Sequence, residues 1–132
     1  MALEVARTIR IAFETDASHS AERFGNAGVD VVATPALVGL IETACHRLMV
    51  PHFAAGEASV GVHLDLAHEA AAPIGVTVEV TATVAAIDGR RVEFEAVAQV
   101  GDLVLMRGRH ARAFVDYARL RRRIAERFPG YA

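Results

Sequence analysis

Apolar and polar residues alternate over residues 5–15. This pattern predicts a β-strand, because successive side chains of a strand point to opposite faces. Residues 16–33 are small and polar and include Gly25 and Gly28. They predict a loop with one short helical turn at residues 21–24. The chain therefore begins with one strand that a long connection separates from the next element.

The strongest helix of the sequence is predicted from Thr34 to about Val50. Thr34 is a favoured N-cap residue, Pro35 is favoured at the first helical position, and Pro51 stops the helix. The apolar residues form one wide stripe, which consists of Leu37, Leu40, Ile41, Ala44, Cys45 and Leu48. A stripe of this width indicates a helix that packs closely against another element.

Four strands are predicted after the helix, each from a two-residue apolar repeat. The residues that share one face are Val60, Val62, Leu64 and Leu66 in the first strand, Val76, Val78, Val80, Ala82 and Val84 in the second, and Val92, Phe94, Ala96, Ala98 and Val100 in the third. An Asp-Gly pair at 88–89 and a Gly-Asp pair at 101–102 predict the turns between the last three strands. The fourth strand covers residues 103–115, with Gly108 as a candidate bulge.

A second helix is predicted over residues 116–128, with Asp116 as its cap and apolar residues at helical spacing. Four arginines of this segment predict a solvent-exposed basic face, namely Arg119, Arg121, Arg122 and Arg123. The alternative for these arginines is a contact with the phosphates of a cofactor.

This order of elements predicts an α+β fold in a single domain that covers residues 1–132. Short turns join the downstream strands, so we expect them to form an antiparallel sheet. A lone helix with a wide apolar stripe needs such a sheet to cover it. An antiparallel sheet wrapped around one central helix is the hotdog arrangement, which the periodicity supports without establishing its topology.

The composition excludes several classes of function. Of the 132 residues, 53% are hydrophobic and 23% are charged, and the net charge is −2, so nothing favours nucleic-acid binding. The chain has no lysine, which excludes Schiff-base chemistry. No apolar run approaches the ~18–20 residues of a membrane span, and the N-terminal residues do not resemble a signal peptide. We therefore expect a cytoplasmic protein without nucleic-acid or membrane partners.

Glu42 and His68 are the main candidates for chemistry. Glu42 falls at the margin of the apolar stripe of the helix, where a carboxylate either extends to solvent or acts as a nucleophile or base. His68 continues the apolar face at the end of the first downstream strand, so its ring either packs at the core edge or lies at the mouth of a pocket. Thr34 lies ~12 Å from Glu42 along the helix axis, on roughly the same side.

Other polar residues are expected to have structural roles. Cys45 is the only cysteine and lies in the apolar stripe, so neither a disulfide nor a multi-cysteine metal site is predicted. His63 and His68 lie on opposite faces of a strand, which is poor spacing for metal ligands, and no metal site is expected. Arg112 is expected at a solvent-facing position of the last strand.

The run ATPALVGLIETAC at residues 33–45 resembles the central helix of fluoroacetyl-CoA thioesterase-like hotdog proteins. The stretch GVHLDLAH at residues 61–68, followed by Pro73, Gly75 and a Val/Thr-rich strand, resembles the same family. The resemblance covers about residues 31–115. It implies a homodimer whose two sheets join, with an acyl-CoA substrate bound near the dimer interface. It also implies hydrolysis without a separate cofactor, since coenzyme A is part of the substrate.

The resemblance implies roles for five residues of this chain. Thr34, Glu42 and His68 correspond to the catalytic residues of the family, the backbone N–H of Gly61 would face the thioester carbonyl, and Arg112 would support the site. Glu42 would attack the carbonyl or activate water, and His68 would transfer protons. Thr34 and the Gly61 N–H would stabilise the oxyanion.

The predicted function is hydrolysis of a small or medium acyl-CoA thioester. The rival is a non-catalytic hotdog module that binds acyl-CoA as a sensor, which would need neither Glu42 nor His68. A hydratase of the same fold is disfavoured because Asp65 has the wrong strand parity for the pocket. The fluoroacetate-specific member of the family has an aromatic lid residue where this chain has no aromatic, near Gly28. We therefore expect no strong preference for fluoroacetyl-CoA, and Phe24 is the alternative lid residue.

Overall fold

A helix of 16 residues, α1 (Thr34–Met49), packs on a five-stranded antiparallel sheet in the computed structural model, which describes residues 2–131. A second helix, α2 (Tyr117–Arg127), follows the last strand. The strands are β1 (Thr8–Glu14), β2 (Glu57–His68), β3 (Thr77–Asp88), β4 (Arg91–Val100) and β5 (Leu103–Asp116), and they lie in the order β1-β3-β4-β5-β2. This architecture confirms the predicted α+β fold with one helix against an antiparallel sheet.

Three short 3-10 turns lie between these elements: Ala17–His19, Ala21–Phe24 and Val50–His52. The turn expected at residues 21–24 is therefore confirmed. The first strand is shorter than predicted, since it begins at Thr8. The helix α1 ends one residue before the predicted limit, and the chain continues as the 3-10 turn that contains Pro51.

The apolar stripe of α1 is buried against the inner face of the sheet. The buried residues of α1 are Leu37, Leu40, Ile41, Ala44, Cys45, Leu48 and Met49. Those of β3 and β4 are Val78, Val80, Ala82, Val84, Val92, Phe94, Ala96 and Ala98. Burying one large aliphatic or aromatic side chain contributes about 1.5–3 kcal/mol. This layer therefore fixes the position of α1, and with it the positions of Thr34 and Glu42.

A bulge in β2 reverses the alternation of its side chains. Gly61 pairs with Arg112 of β5, the next paired residue is His63, opposite Ala111, and Val62 between them has no partner. An extra residue in one strand moves the following side chains to the other face. The prediction that Val60 shares the face of Leu64 and Leu66 is therefore wrong.

The same bulge places Gly61 and His68 on one face although they are an odd number of residues apart. Gly61 lies opposite Arg112 and His68 lies opposite Met106. Directly paired residues point to the same side of a sheet, and both Arg112 and Met106 are buried. The helix-facing side of β2 therefore carries both of these candidate site residues.

Gly108 is not a bulge, and this prediction is wrong. It pairs in register with Leu66 on one side and Ala96 on the other. Its φ is +149°, and a Cβ at this position would collide with the carbonyl oxygen of Asp65. Glycine is required here because the backbone of β2 approaches closely.

The helix α2 has the predicted cap and an exposed basic face. Oδ1 of Asp116 accepts a hydrogen bond from the backbone N–H of Arg119 at 2.9 Å. All four arginines predicted for the basic face are exposed. Arg119 and Arg123 also line a surface cleft of about 290 Å³ together with Arg90.

No helix within residues 2–131 is long and apolar enough to cross a membrane.

Candidate active site

The carboxylate of Glu42, in the middle of α1, lies beside the guanidinium of Arg112. Oε2 of Glu42 is 3.5 Å from Nη1 of Arg112. The side chain of Arg112 is 9% exposed and that of Glu42 is 40% exposed, so the carboxylate is the partner that a ligand can reach. The prediction of a solvent-facing Arg112 is wrong, because β5 turns this residue toward α1.

Two hydrogen bonds to Ser59 of β2 fix the guanidinium of Arg112. Its Nε–H donates to Oγ of Ser59 at 2.7 Å, and its Nη2–H donates to the Ser59 carbonyl oxygen at 3.2 Å. Oγ of Ser59 is also hydrogen-bonded to Nδ1 of His46, at 2.9 Å. Burial lowers the pKa of Arg112, and the neighbouring Glu42 carboxylate opposes this shift. Since arginine stays protonated in proteins, a buried cation is fixed beside Glu42.

His110 completes this network and was not predicted from the sequence. Its side chain is buried, Nδ1 lies 2.8 Å from the carbonyl oxygen of His63, and Nε2 lies 3.2 Å from Nη1 of Arg112. The sequence shows only that His110 and Arg112 are two residues apart and therefore share one face of β5, which is equally true of exposed strand residues. Burial is the main cause that lowers the pKa of His110, and the charge of Arg112 acts in the same direction.

Gly61 provides a bare stretch of backbone against which Glu42 lies. A Cβ at this position would be 2.8 Å from Oε2 of Glu42, 3.3 Å from Cε1 of His110 and 3.4 Å from Nη1 of Arg112. Any side chain here would displace the carboxylate. The structure therefore brings together three of the five predicted site residues, Glu42, Gly61 and Arg112.

The other two predicted residues, Thr34 and His68, form a separate pair. Oγ1 of Thr34 lies 2.6 Å from Nδ1 of His68, and both residues are exposed. The prediction that Thr34 is the N-cap is wrong. Ala33 occupies the N-cap position and makes no side-chain cap bond. Thr34 is the first residue of α1, and its hydroxyl is engaged by the histidine instead of by the helix backbone.

The two groups lie apart along α1. Thr34 and Glu42 are separated by eight residues, which is ~12 Å of helix rise. Each cluster includes one residue of β2. Gly61 lies near the middle of this strand, and His68 lies at its end. One chain therefore presents two separate clusters of site residues. The first consists of Glu42, Gly61 and Arg112, and the second consists of Thr34 and His68.

The remaining polar predictions concern core and metal chemistry. Cys45 is buried and free, and burial raises the pKa of its thiol to about 12, so it is a core residue. His63 and Asp65 pair with Ala111 and Arg109, on the face opposite to His68, as predicted. Within residues 2–131, no group of three or more His, Cys, Asp or Glu side chains is arranged to hold a metal ion.

A single long helix packed on a five-stranded antiparallel sheet is the hotdog fold. A hot-dog-like protein from Thermanaerovibrio acidaminovorans has this fold. It superposes with a TM-score of 0.87 at 25% identity, over 96% of this chain and 93% of that one.

The chain belongs to the family of fluoroacetyl-CoA-specific thioesterases, whose model matches residues 15–118. The fluoroacetyl-CoA thioesterase of Streptantibioticus cattleyicolor is 36% identical over 100 residues, which are 76% of this chain and 72% of that protein. The structure of the fluoroacetyl-CoA thioesterase FlK superposes with a TM-score of 0.90 at 29% identity, over 98% of this chain and 100% of that one. These matches confirm the resemblance and the predicted class of enzyme, a thioester hydrolase of the acyl-CoA thioesterase type.

Proposed function

We propose that this protein hydrolyses a small or medium acyl-CoA thioester with Thr34, Glu42, Gly61, His68 and Arg112. The observation that carries the proposal is the position of the Glu42 carboxylate, which lies against the Gly61 backbone and beside the buried guanidinium of Arg112. Such a carboxylate has a defined orientation and one open side. That is the arrangement a nucleophile or general base needs.

In the proposed reaction, Glu42 acts on the thioester carbonyl in one of two ways. Its carboxylate attacks the carbonyl carbon to form an anhydride, which water hydrolyses, or it removes a proton from the water molecule that attacks this carbon. Both routes break the C–S bond, and the leaving thiolate of CoA takes a proton that His68 supplies. The hydroxyl of Thr34 and the N–H of Gly61 stabilise the developing oxyanion.

We also propose that the enzyme is a homodimer that forms along β2. This strand is an edge of the sheet, and an uncovered edge with apolar residues is a template for pairing with another strand. Val62 and Leu64 of β2 are 47% and 50% exposed. A second copy of β2 would cover both residues and extend the sheet across the interface.

The homodimer would unite the two groups of site residues. The exposed stretch of β2 is centred between Leu64 and Asp65. In an antiparallel pairing of two copies centred on this stretch, Gly61 of one copy lies beside the end of β2 that carries His68 in the other. We therefore propose that each active site takes Glu42, Gly61 and Arg112 from one chain and Thr34 and His68 from the other.

The proposed chemistry uses only water and groups of the protein itself, and it needs neither a metal nor an added cofactor. The single domain of residues 1–132 carries all the groups named above, once two copies associate. We place the enzyme in the cytoplasm, where a chain with one free, buried cysteine requires no oxidising compartment.

Selectivity for fluoroacetyl-CoA is not expected of this chain. Replacing hydrogen by fluorine is a small change of shape, and changes of that size are worth only ~1–3 kcal/mol in an ordinary apolar pocket. A lid that excludes water from the pocket would increase the discrimination between fluoroacetyl-CoA and acetyl-CoA. Residues 26–29 contain no aromatic residue, and Phe24, which precedes them, is 53% exposed.

The test is release of free thiol from a panel of acyl-CoAs, from acetyl to long-chain, with fluoroacetyl-CoA included. The proposal predicts turnover of the short and medium chains. It also predicts a fluoroacetyl preference, in kcat/KM over acetyl-CoA, well below about 10⁴-fold, which corresponds to ~5.5 kcal/mol. Tight binding of acyl-CoA without any thiol release would favour the non-catalytic sensor.

A further inference from the structure

His110 is a buried residue of the site that the proposed reaction does not use. It is 1% exposed, and both of its ring nitrogens have partners. Nδ1 faces the carbonyl oxygen of His63 at 2.8 Å, and Nε2 faces Nη1 of Arg112 at 3.2 Å. Its Cε1 edge borders Gly61. The ring therefore fills the space between β2 and the cation that pairs with Glu42.

The two partners define the tautomer of His110. A carbonyl oxygen only accepts hydrogen bonds, so Nδ1 of His110 carries the proton and donates it to His63. A guanidinium only donates, so Nε2 must offer its lone pair to Arg112. The ring is therefore the neutral Nδ1–H tautomer. Burial, which lowers the pKa of His110, favours the same neutral form.

Nε2 of His110 is a neutral acceptor. It therefore orients the Arg112 guanidinium without acting as a second anion in competition with Glu42. Nη1 of Arg112 lies between Nε2 of His110, at 3.2 Å, and Oε2 of Glu42, at 3.5 Å. Its Nε and Nη2 are both bound to Ser59. Removing the acceptor would leave Ser59 alone to orient the guanidinium, and Nη1 could rotate away from the carboxylate.

We infer that His110 is a positioning residue, which acts through Nε2 to hold Arg112 against Glu42 so that the carboxylate stays aligned with the Gly61 backbone during thioester hydrolysis. The inference rests on the proposed function for its effect on rate. The position of Arg112 depends on the acceptor at residue 110 whether or not the protein has that function.

A matched pair of variants separates the two ring nitrogens. His110→Gln places an amide oxygen near the position of Nε2 and keeps an acceptor for Arg112. His110→Asn places an amide N–H near Nδ1, which keeps the bond to His63 but removes the acceptor. Arg109→Gln, at the adjacent exposed position of β5, is the control for general disturbance of the strand.

We expect His110→Gln and Arg109→Gln to retain kcat within about threefold of the unchanged enzyme. We expect His110→Asn to lose at least about tenfold in kcat with little change in KM, since a small misplacement of a catalytic group lowers the rate strongly. A purely structural role for His110 would not produce this split between kcat and KM.

Crystal structures of the two variants provide the readout that does not depend on activity. The inference predicts that Nη1 of Arg112 stays beside Glu42 in His110→Gln and moves away in His110→Asn. It is overturned if the guanidinium keeps its place in His110→Asn, or if both variants lose rate equally and in proportion to their melting temperatures. Failure of the proposed function itself would appear as no thiol release from the unchanged enzyme, whatever the position of Arg112 in the variants.

Discussion

The hydroxyl of Thr34 lies 2.6 Å from Nδ1 of His68 and joins the first residue of α1 to the last residue of β2. The N-cap position of α1 is held by Ala33, which makes no side-chain bond. The Thr34 hydroxyl is therefore not needed to cap the helix, and its contact with the histidine can be removed with little effect on the fold.

Replacing Thr34 separates the hydroxyl from the shape of the side chain. We expect Thr34→Val, which keeps the shape and removes the hydroxyl, to lower kcat by at least about tenfold. Thr34→Ser, which keeps the hydroxyl, should stay within about threefold. Both variants should melt within a few degrees of the unchanged protein. Equal activity of Thr34→Val and Thr34→Ser would contradict a role of the hydroxyl in the reaction.

Mixing two inactive variants tests whether the active site is shared between chains. Glu42→Gln and His68→Ala should each be inactive alone. A mixed dimer has one site in which Glu42 and His68 are both intact, provided that they come from different chains. We therefore expect the mixture, after denaturation and joint refolding, to recover up to about a quarter of the unchanged activity, because half of the dimers are mixed and each has one intact site. No recovery, with mixed dimers demonstrated by mass, would place Glu42 and His68 of one chain in the same site.

The β2 edge is the expected dimer interface. Light scattering at micromolar concentration should give the mass of a dimer for the unchanged protein. Leu64→Arg should shift it to the monomer, because two buried, unpaired charges would face each other across the joined strands. Leu103→Arg is the matched control, since Leu103 is equally exposed but lies at the start of β5. A monomeric mass for the unchanged protein would remove the basis of the shared site.

Stability should fall on mild acidification because of two histidines, the buried His110 and the half-buried His46. Burial is the main cause that lowers the pKa of His46 and of His110 in the folded protein. The unfolded chain then binds more protons, so the stabilisation is complete above the unfolded pKa of about 6.5 and is lost as the pH falls through the lower folded values. We expect the free energy of unfolding by urea to be constant from about pH 7.5 to 8 and lower at pH 5. His110→Gln should flatten this decline, and an unchanged slope in that variant would contradict the assignment.

The order and type of the elements could be read from the sequence because they depend on local periodicity. The stripe of α1, from Leu37 to Leu48, and the alternation in β3 and β4 are buried as the pattern predicts. The bulge at Val62 could not be read, because Val62 continues the apolar alternation of β2. Its presence depends on how β2 pairs with β5, which lies more than 40 residues later in the chain.

The candidate site was predictable only in part for a similar reason. Glu42 and His68 stand out because each is a polar residue on an otherwise apolar pattern. The buried bonds of Arg112 to Ser59 and His110 arise from the pairing of β2 with β5 and leave no local signal that distinguishes them from exposed strand residues. The resemblance supplied Gly61 and Arg112, whereas His110 and Ser59 became visible only in the folded structure.

The most direct test of the central claim is the rate of thiol release from acetyl-CoA by Glu42→Gln. The substitution keeps the size of the side chain and removes the charge that attack or proton removal requires, so the fold and the melting temperature should be retained. We expect kcat to fall by at least about 10²-fold, with the dimer intact and acyl-CoA still bound. Activity within about threefold of the unchanged enzyme, at an unchanged melting temperature, would contradict the claim and leave Glu42 as a surface residue paired with Arg112.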